Sequence, residues 1–168
     1  NDKLIDVEYQ YTNNLSKRFA EFNSEDYPLS DSIVLIDCNG EPHRLNELIK
    51  DTVQLVFRYS IMNCTNCVNK ELTRLEKFSK EFGTENIVLI VYYENFSQYF
   101  NFLRNSKIAY KAYLLENNDL KIPAEKSLLP YYFILDRSLS SKMLYFPDAN
   151  DQESTDKYLN ILKERFLK

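Results

Sequence analysis

The spacing of apolar and polar positions divides the chain into alternating strands and helices. Ser32 to Cys38, then Asn39-Gly40, then Glu41 to Leu45 predicts a β-hairpin, since Asn-Gly suits a two-residue type I′ turn. Asn46 to Lys50 reads as one helical turn, and Val53 to Ser60 as a strand long enough to be central. Val68, Leu72, Leu75, Phe78 and Phe82 recur at helical spacing, which predicts a helix from about Thr65 to Phe82 closed by Gly83. Asn86 to Tyr93 is nearly continuous in apolar residues and suits a parallel strand covered on both faces. Asn95 is placed to cap a second helix with Phe96, Tyr99, Phe100 and Leu103 on one face. Tyr113-Leu114-Leu115 reads as a short strand and Glu116 to Asp119 as a turn. Leu129 to Asp136 is a Pro-led strand, and Lys142 to Phe146 should pair with it antiparallel. A last helix begins near Asp151 or Ser154 and turns Tyr158, Leu159, Leu162 and Phe166 inward.

Before the hairpin the chain is polar and rich in Asn, Tyr and Glu. Leu15, Phe19 and Phe22 (i, i+4, i+7) form a helical patch that could dock on the rest. Two readings stand for residues 1–27: an extension or tether, or a first helix integral to the core. Residues 28–168 are then one domain. No internal repeat or low-complexity stretch interrupts it.

The chemistry gathers at Asn63-Cys64-Thr65-Asn66-Cys67, between the Val53–Ser60 strand and the helix that follows. A helix start presents unpaired N–H groups and a partial positive charge. A cysteine placed there is favoured as thiolate, the form that attacks disulfides. A second cysteine three residues on lies within one turn and can close a disulfide with the first.

Composition narrows the class. The chain of 168 residues is 44% hydrophobic and 27% charged, which fits a globular domain with a full core. A net charge of −4 without a basic block gives nucleic-acid binding no electrostatic support. No stretch approaches the length of a membrane span. A start at Asn1, without Met or a signal segment, is expected of a processed or trimmed N-terminus. Three cysteines are too few for a disulfide scaffold.

Hairpin, strand, C-x-x-C helix, strand, helix, Pro-led strand, hairpin strand and terminal helix is an order that resembles the thioredoxin superfamily. The Ile33–Leu45 hairpin makes it most similar to the TlpA-like branch of exported, often membrane-anchored thiol–disulfide oxidoreductases of Bacteroidetes-type bacteria. The resemblance covers roughly residues 28–168. It implies an α/β thioredoxin-like fold, a mixed sheet of four or five main strands with helices on both faces. It places the attacking cysteine at Cys64, the resolving cysteine at Cys67 and a cis-proline at Pro130, with Leu129 and Pro130 forming the substrate shelf. It further implies protein thiol and disulfide substrates, a redox partner that resets the dithiol, an extracytoplasmic location with a possible membrane tether outside the given sequence, and no cofactor or metal. The chain departs from the pattern at three positions. Asn63 replaces the Trp before the first cysteine, Asn66 the central Pro, and Arg58 the buried acid six residues ahead.

Other readings of the same residues are blander. Cys64 and Cys67 could form a purely structural disulfide in a thioredoxin-fold binding module. They could also be half of a zinc site, which would need both Cys38 and His43. Cys38 otherwise reads as a strand-end small hydrophobe and His43 as a solvent-facing bystander. Arg58 could favour a nearby thiolate, but reads more simply as a strand residue with its head in water or paired with a carboxylate such as Glu71. Tyr59, Met62 and Tyr131 are the apolar residues expected to flank the dithiol. The expected activity is thiol–disulfide exchange.

Overall fold

The computed structural model describes residues 2–49 and 53–167. Eight strands form one mixed sheet: β1 (Tyr27–Pro28), β2 (Val34–Ile36), β3 (Pro42–Arg44), β4 (Gln54–Ser60), β5 (Ile87–Tyr92), β6 (Lys111–Leu115), β7 (Tyr131–Leu135) and β8 (Ser140–Tyr145). Their order across the sheet is β1-β8-β7-β4-β5-β6-β2-β3. β4, β5 and β6 run parallel, and β7 pairs antiparallel with β4 on its other side. The expected α/β layering is present, but the sheet has eight strands rather than four or five. The hairpin β2–β3 extends one edge through β6, and β1 extends the other through β8.

Four helices accompany the sheet: α1 (Asp2–Ser24), α2 (Thr65–Phe82), α3 (Phe96–Ser106) and α4 (Gln152–Phe166). On one face, Leu55, Phe57 and Tyr59 of β4 and Ile87, Leu89 and Val91 of β5 pack with Val68, Leu75 and Phe82 of α2 and Leu159 and Leu162 of α4. Alternate residues of the same strands, Val56, Val88 and Ile90, meet Leu35, Leu45, Phe133 and Phe146 on the opposite face, with Ala20 of α1 against them. Strand residues alternate between faces, so one run of apolar residues supplies both cores.

The α2 boundaries are those the apolar spacing predicts. Gly83 ends the helix at φ +92°, a conformation that L side chains rarely adopt. On α3, Asn95 caps as expected, its side chain accepting from Gln98 N at 3.0 Å. The inward face differs: Tyr99 is buried with Phe102 and Leu103 beside it, while Phe96 and Phe100 are exposed. The hairpin forms, but not through a two-residue turn. Its last pair is Ile36↔Pro42, and the Asp37 carboxylate holds the longer connection by accepting from Asn39 N and Glu41 N. The expected helical turn appears as a 3-10 turn, Leu45–Leu48; Lys50 lies outside the described residues.

α1 docks through a polar edge, which reverses the expected one. Leu15, Phe19 and Phe22 are 36%, 64% and 79% exposed. The contacts come from the opposite side. Glu21 accepts from Phe146 N, Ser24 Oγ accepts from Ala124 N, and Lys17 pairs with Asp148. Just past the helix, Glu25 accepts from Met143 N. The surface that receives α1 presents backbone N–H groups, which carboxylates and hydroxyls can satisfy and phenyl rings cannot.

Candidate active site

β4 delivers the chain to the site and a tight turn hands it to α2. Asn63 N donates to Ser60 O at 2.9 Å, Ser60 N to Asn63 Oδ1 at 2.7 Å, and Met62 N to Ser60 Oγ at 3.1 Å. Cys64 is the N-cap of α2, its Sγ accepting from Cys67 N at 3.3 Å. Cys64 and Cys67 form a disulfide with their Cα atoms 5.3 Å apart. Cys64 is exposed and Cys67 half-buried. Ile61 and Met62, just ahead of the pair, are 40% and 78% exposed.

The second side of the site is the approach to β7. Asn63 Nδ2 donates to Leu128 O at 2.8 Å, tying the residue before Cys64 to the segment that leads into Pro130. Leu128 and Leu129 are exposed, whereas Pro130 is buried. The Leu129–Pro130 bond is not cis as expected, for no cis peptide bond occurs among the described residues. Leu128 makes the turn instead. It adopts φ +51° and closes the 3-10 turn Pro123–Ser127, its N–H donating to Glu125 O, so the chain enters β7 through a left-handed residue.

Arg58 lies beneath this junction, 2% exposed. Its head is neither in water nor on Glu71. Nε meets Glu125 Oε1 at 3.0 Å, Nη2 reaches Glu125 Oε2 at 3.3 Å and Asn118 Oδ1 at 2.7 Å, and Nη1 donates to the Tyr59 carbonyl. Tyr131 OH donates to Glu125 Oε1 at 2.6 Å, and burial holds that phenol well above its ordinary pKa, in its donor form. These groups floor a cleft of about 480 Å³ that also takes in Ser60, Asn63 and Leu129. Glu125 had no signal in the sequence; it lies 67 residues from its partner, in a segment without clear periodicity.

Glu71 sits on the other face of the sheet. It accepts from Tyr132 OH at 2.8 Å and lies 3.4 Å from Arg74 Nε. Burial raises its pKa, opposed by the Tyr132 hydrogen bond and Arg74. Tyr59 and Tyr131 are buried and line the same cleft as Asn63, the residue before Cys64.

Cys38 and His43 are remote from the pair. They belong to the edge hairpin, separated from β4 by β5 and β6. Cys38 is a free, exposed thiol. His43 is no bystander: Nε2 lies 3.2 Å from Asp37 Oδ2 and Nδ1 3.2 Å from Glu47 Oε2. The zinc alternative, which requires all four residues together, does not fit this placement.

No protein-family profile matches the sequence, and neither does any curated protein sequence. Solved structures do. A thiol:disulfide interchange protein from a Bacteroides species superposes with TM-score 0.59 at 18% identity, covering 82% of this chain and 92% of its own. The thioredoxin domain of a thiol-disulfide oxidoreductase from Bacteroides vulgatus gives TM-score 0.54 at 18% identity, over 78% of this chain and 98% of that one. A peroxidoxin from Mycobacterium tuberculosis gives TM-score 0.59 at 18% identity, over 82% and 97%. Likeness at these identities is likeness of fold, and that fold is thioredoxin-like.

Proposed function

We propose that this thioredoxin-like chain is a thiol–disulfide oxidoreductase that exchanges disulfides with protein substrates, of the TlpA-like, extracytoplasmic kind. The observation that carries the reading is the Cys64–Cys67 disulfide at the start of α2, with Cys64 exposed and Cys67 half-buried behind it. In the reduced protein, Cys64 thiolate attacks one sulfur of a substrate disulfide. That S–S bond breaks, a mixed disulfide forms, and the other substrate sulfur leaves as thiolate. Cys67 thiolate then attacks Cys64 Sγ, re-forms the intramolecular disulfide and releases the second substrate thiol. Two electrons pass to the substrate, and a partner dithiol must return them. The same steps in reverse oxidise a substrate.

In this reading an extended substrate chain lies along the backbone at Leu129 and Pro130, across the Asn63–Leu128 link, without the cis bond on which the expected shelf depended. The apolar side chains of Ile61, Met62 and Leu128 give that surface loose rather than strict sequence preference. Cys38 takes no part. Among the described residues no helix is long and apolar enough to cross a membrane; a membrane tether outside the given sequence is part of this proposal.

A second reading has observations of its own. The expected buried acid is an ion-paired arginine, and the proline ahead of β7 is trans. Both suit a binding module that keeps its disulfide without turnover. Insulin reduction with dithiothreitol separates the two. Turnover by the wild type that vanishes in Cys64→Ser, with Cys67→Ser accumulating a mixed disulfide, supports the enzyme. Equal, background rates in all three support the module.

A further inference from the structure

α1 has an apolar stripe with nothing on it. Val7, Tyr11, Leu15, Phe19 and Phe22 are 65%, 65%, 36%, 64% and 79% exposed. At about 100° per residue they fall within roughly 120° of the helix surface. The opposite side, Lys17, Ala20, Glu21 and Ser24, is the one that meets the domain. Domain docking therefore leaves the stripe uncovered, and two charged residues share its arc: Glu8, with no ion pair among the described residues, and Arg18, whose charge acts on Glu21 of the same helix.

We infer that the stripe is covered by α1 of a second copy of the chain, packed antiparallel about a two-fold axis near Asn13. Self-complementarity selects this occupant. When position i faces position 26 − i, Val7 meets Phe19 and Tyr11 meets Leu15 of the other copy. The same register sets Glu8 opposite Arg18, twice by symmetry. An isologous contact needs this kind of reciprocity. A parallel pairing would set Glu8 beside Glu8 and Arg18 beside Arg18. A lipid surface is disfavoured, since residues 2–24 hold four carboxylates against three cations and interfacial helices are cation-rich. The covered stripe amounts to something on the order of 500 Å² per copy, under the ~800 Å² of a standard interface, so the dimer is weak and reversible.

The test uses the full chain with Cys38→Ser, so that the exposed thiol cannot cross-link copies. Sedimentation velocity is run over a wide concentration range, and circular dichroism checks that each variant is folded. Concentration-dependent dimerisation is expected, lost in Leu15→Glu. Glu8→Arg and Arg18→Glu should each weaken it several-fold to about tenfold, and the double exchange should restore it, because both symmetric pairs reverse together. A chain that stays monomeric to several hundred micromolar overturns the inference. So does a dimer indifferent to these changes, or one that the double exchange fails to restore. Binding of the monomer to phosphatidylglycerol vesicles would assign the stripe to lipid instead.

Discussion

Arg58 is held by three acceptors and is 2% exposed, and such a charge is costly to leave alone. Removing one partner of a buried pair costs about 3–5 kcal/mol, whereas replacing both with apolar groups of similar volume can be close to neutral. Arg58→Met and Glu125→Leu should each fall in that range by urea denaturation. The double variant should lose far less than the sum, with a remainder from the Tyr131 hydroxyl that Glu125 no longer accepts. Additive losses would show the pair to be uncoupled. His43 has the opposite character, a partly exposed group between two carboxylates. Its hydrogen bond to Asp37 raises its pKa, helped by Glu47 and opposed by desolvation. Desolvation of Asp37 works upward, but the N–H groups of Glu41 and Asn39 and the His43 ring outweigh it and lower that pKa. The raised His43 value makes its contribution complete below the unfolded pKa of about 6.5, and the contribution is lost as pH rises through the folded value. The lowered Asp37 value makes its share present above its unfolded pKa of about 3.9, lost as pH falls through the folded one. His43→Gln should therefore destabilise the protein most below pH 6.5 and progressively less as pH rises through the raised folded value, measured as the difference in thermal midpoint from wild type across pH. A difference constant with pH would mean that the imidazole acts only by packing.

The turn from β4 into α2 is the element on which the site depends, and Asn63 is its fastener. One side chain accepts from Ser60 N within the turn and donates to Leu128 O across the cleft. Asn63→Ala should cost about 1 kcal/mol for each hydrogen bond lost and release Leu128 from the C-x-x-C turn. Insulin reduction should then show a raised KM with kcat changed less, since the chemistry stays on the sulfurs. An unchanged KM would separate the bridge from substrate binding. The sequence displays the C-x-x-C helix clearly, because an apolar repeat, a closing glycine and the cysteine pair all mark the same boundaries. It displays Arg58 but not Glu125, since an ion pair spanning 67 residues leaves no local pattern. It also misplaces the docked side of α1. Apolar spacing identifies a face that avoids water, but here the receiving surface is edged with backbone N–H groups that only the polar side can satisfy. The turn at Leu128 is hidden for a related reason: a leucine in a left-handed conformation carries none of the glycine or asparagine signals that usually mark one.

For the molecule as a whole, the two ends of the sheet have a consequence for how it behaves in a crowded solution. Each terminal strand is very short, two residues in β1 and three in β3, and each contains a proline, Pro28 and Pro42. A proline offers no N–H to an incoming strand, and a strand this brief gives a stranger too few rungs to hold. Six strands lie between these ends, β4, β5 and β7 almost wholly buried and β5 and β7 without a charged residue, and such material would polymerise readily if it could be extended. The borders are thus terminated by chemistry rather than by cover, and the ladder stops at eight strands.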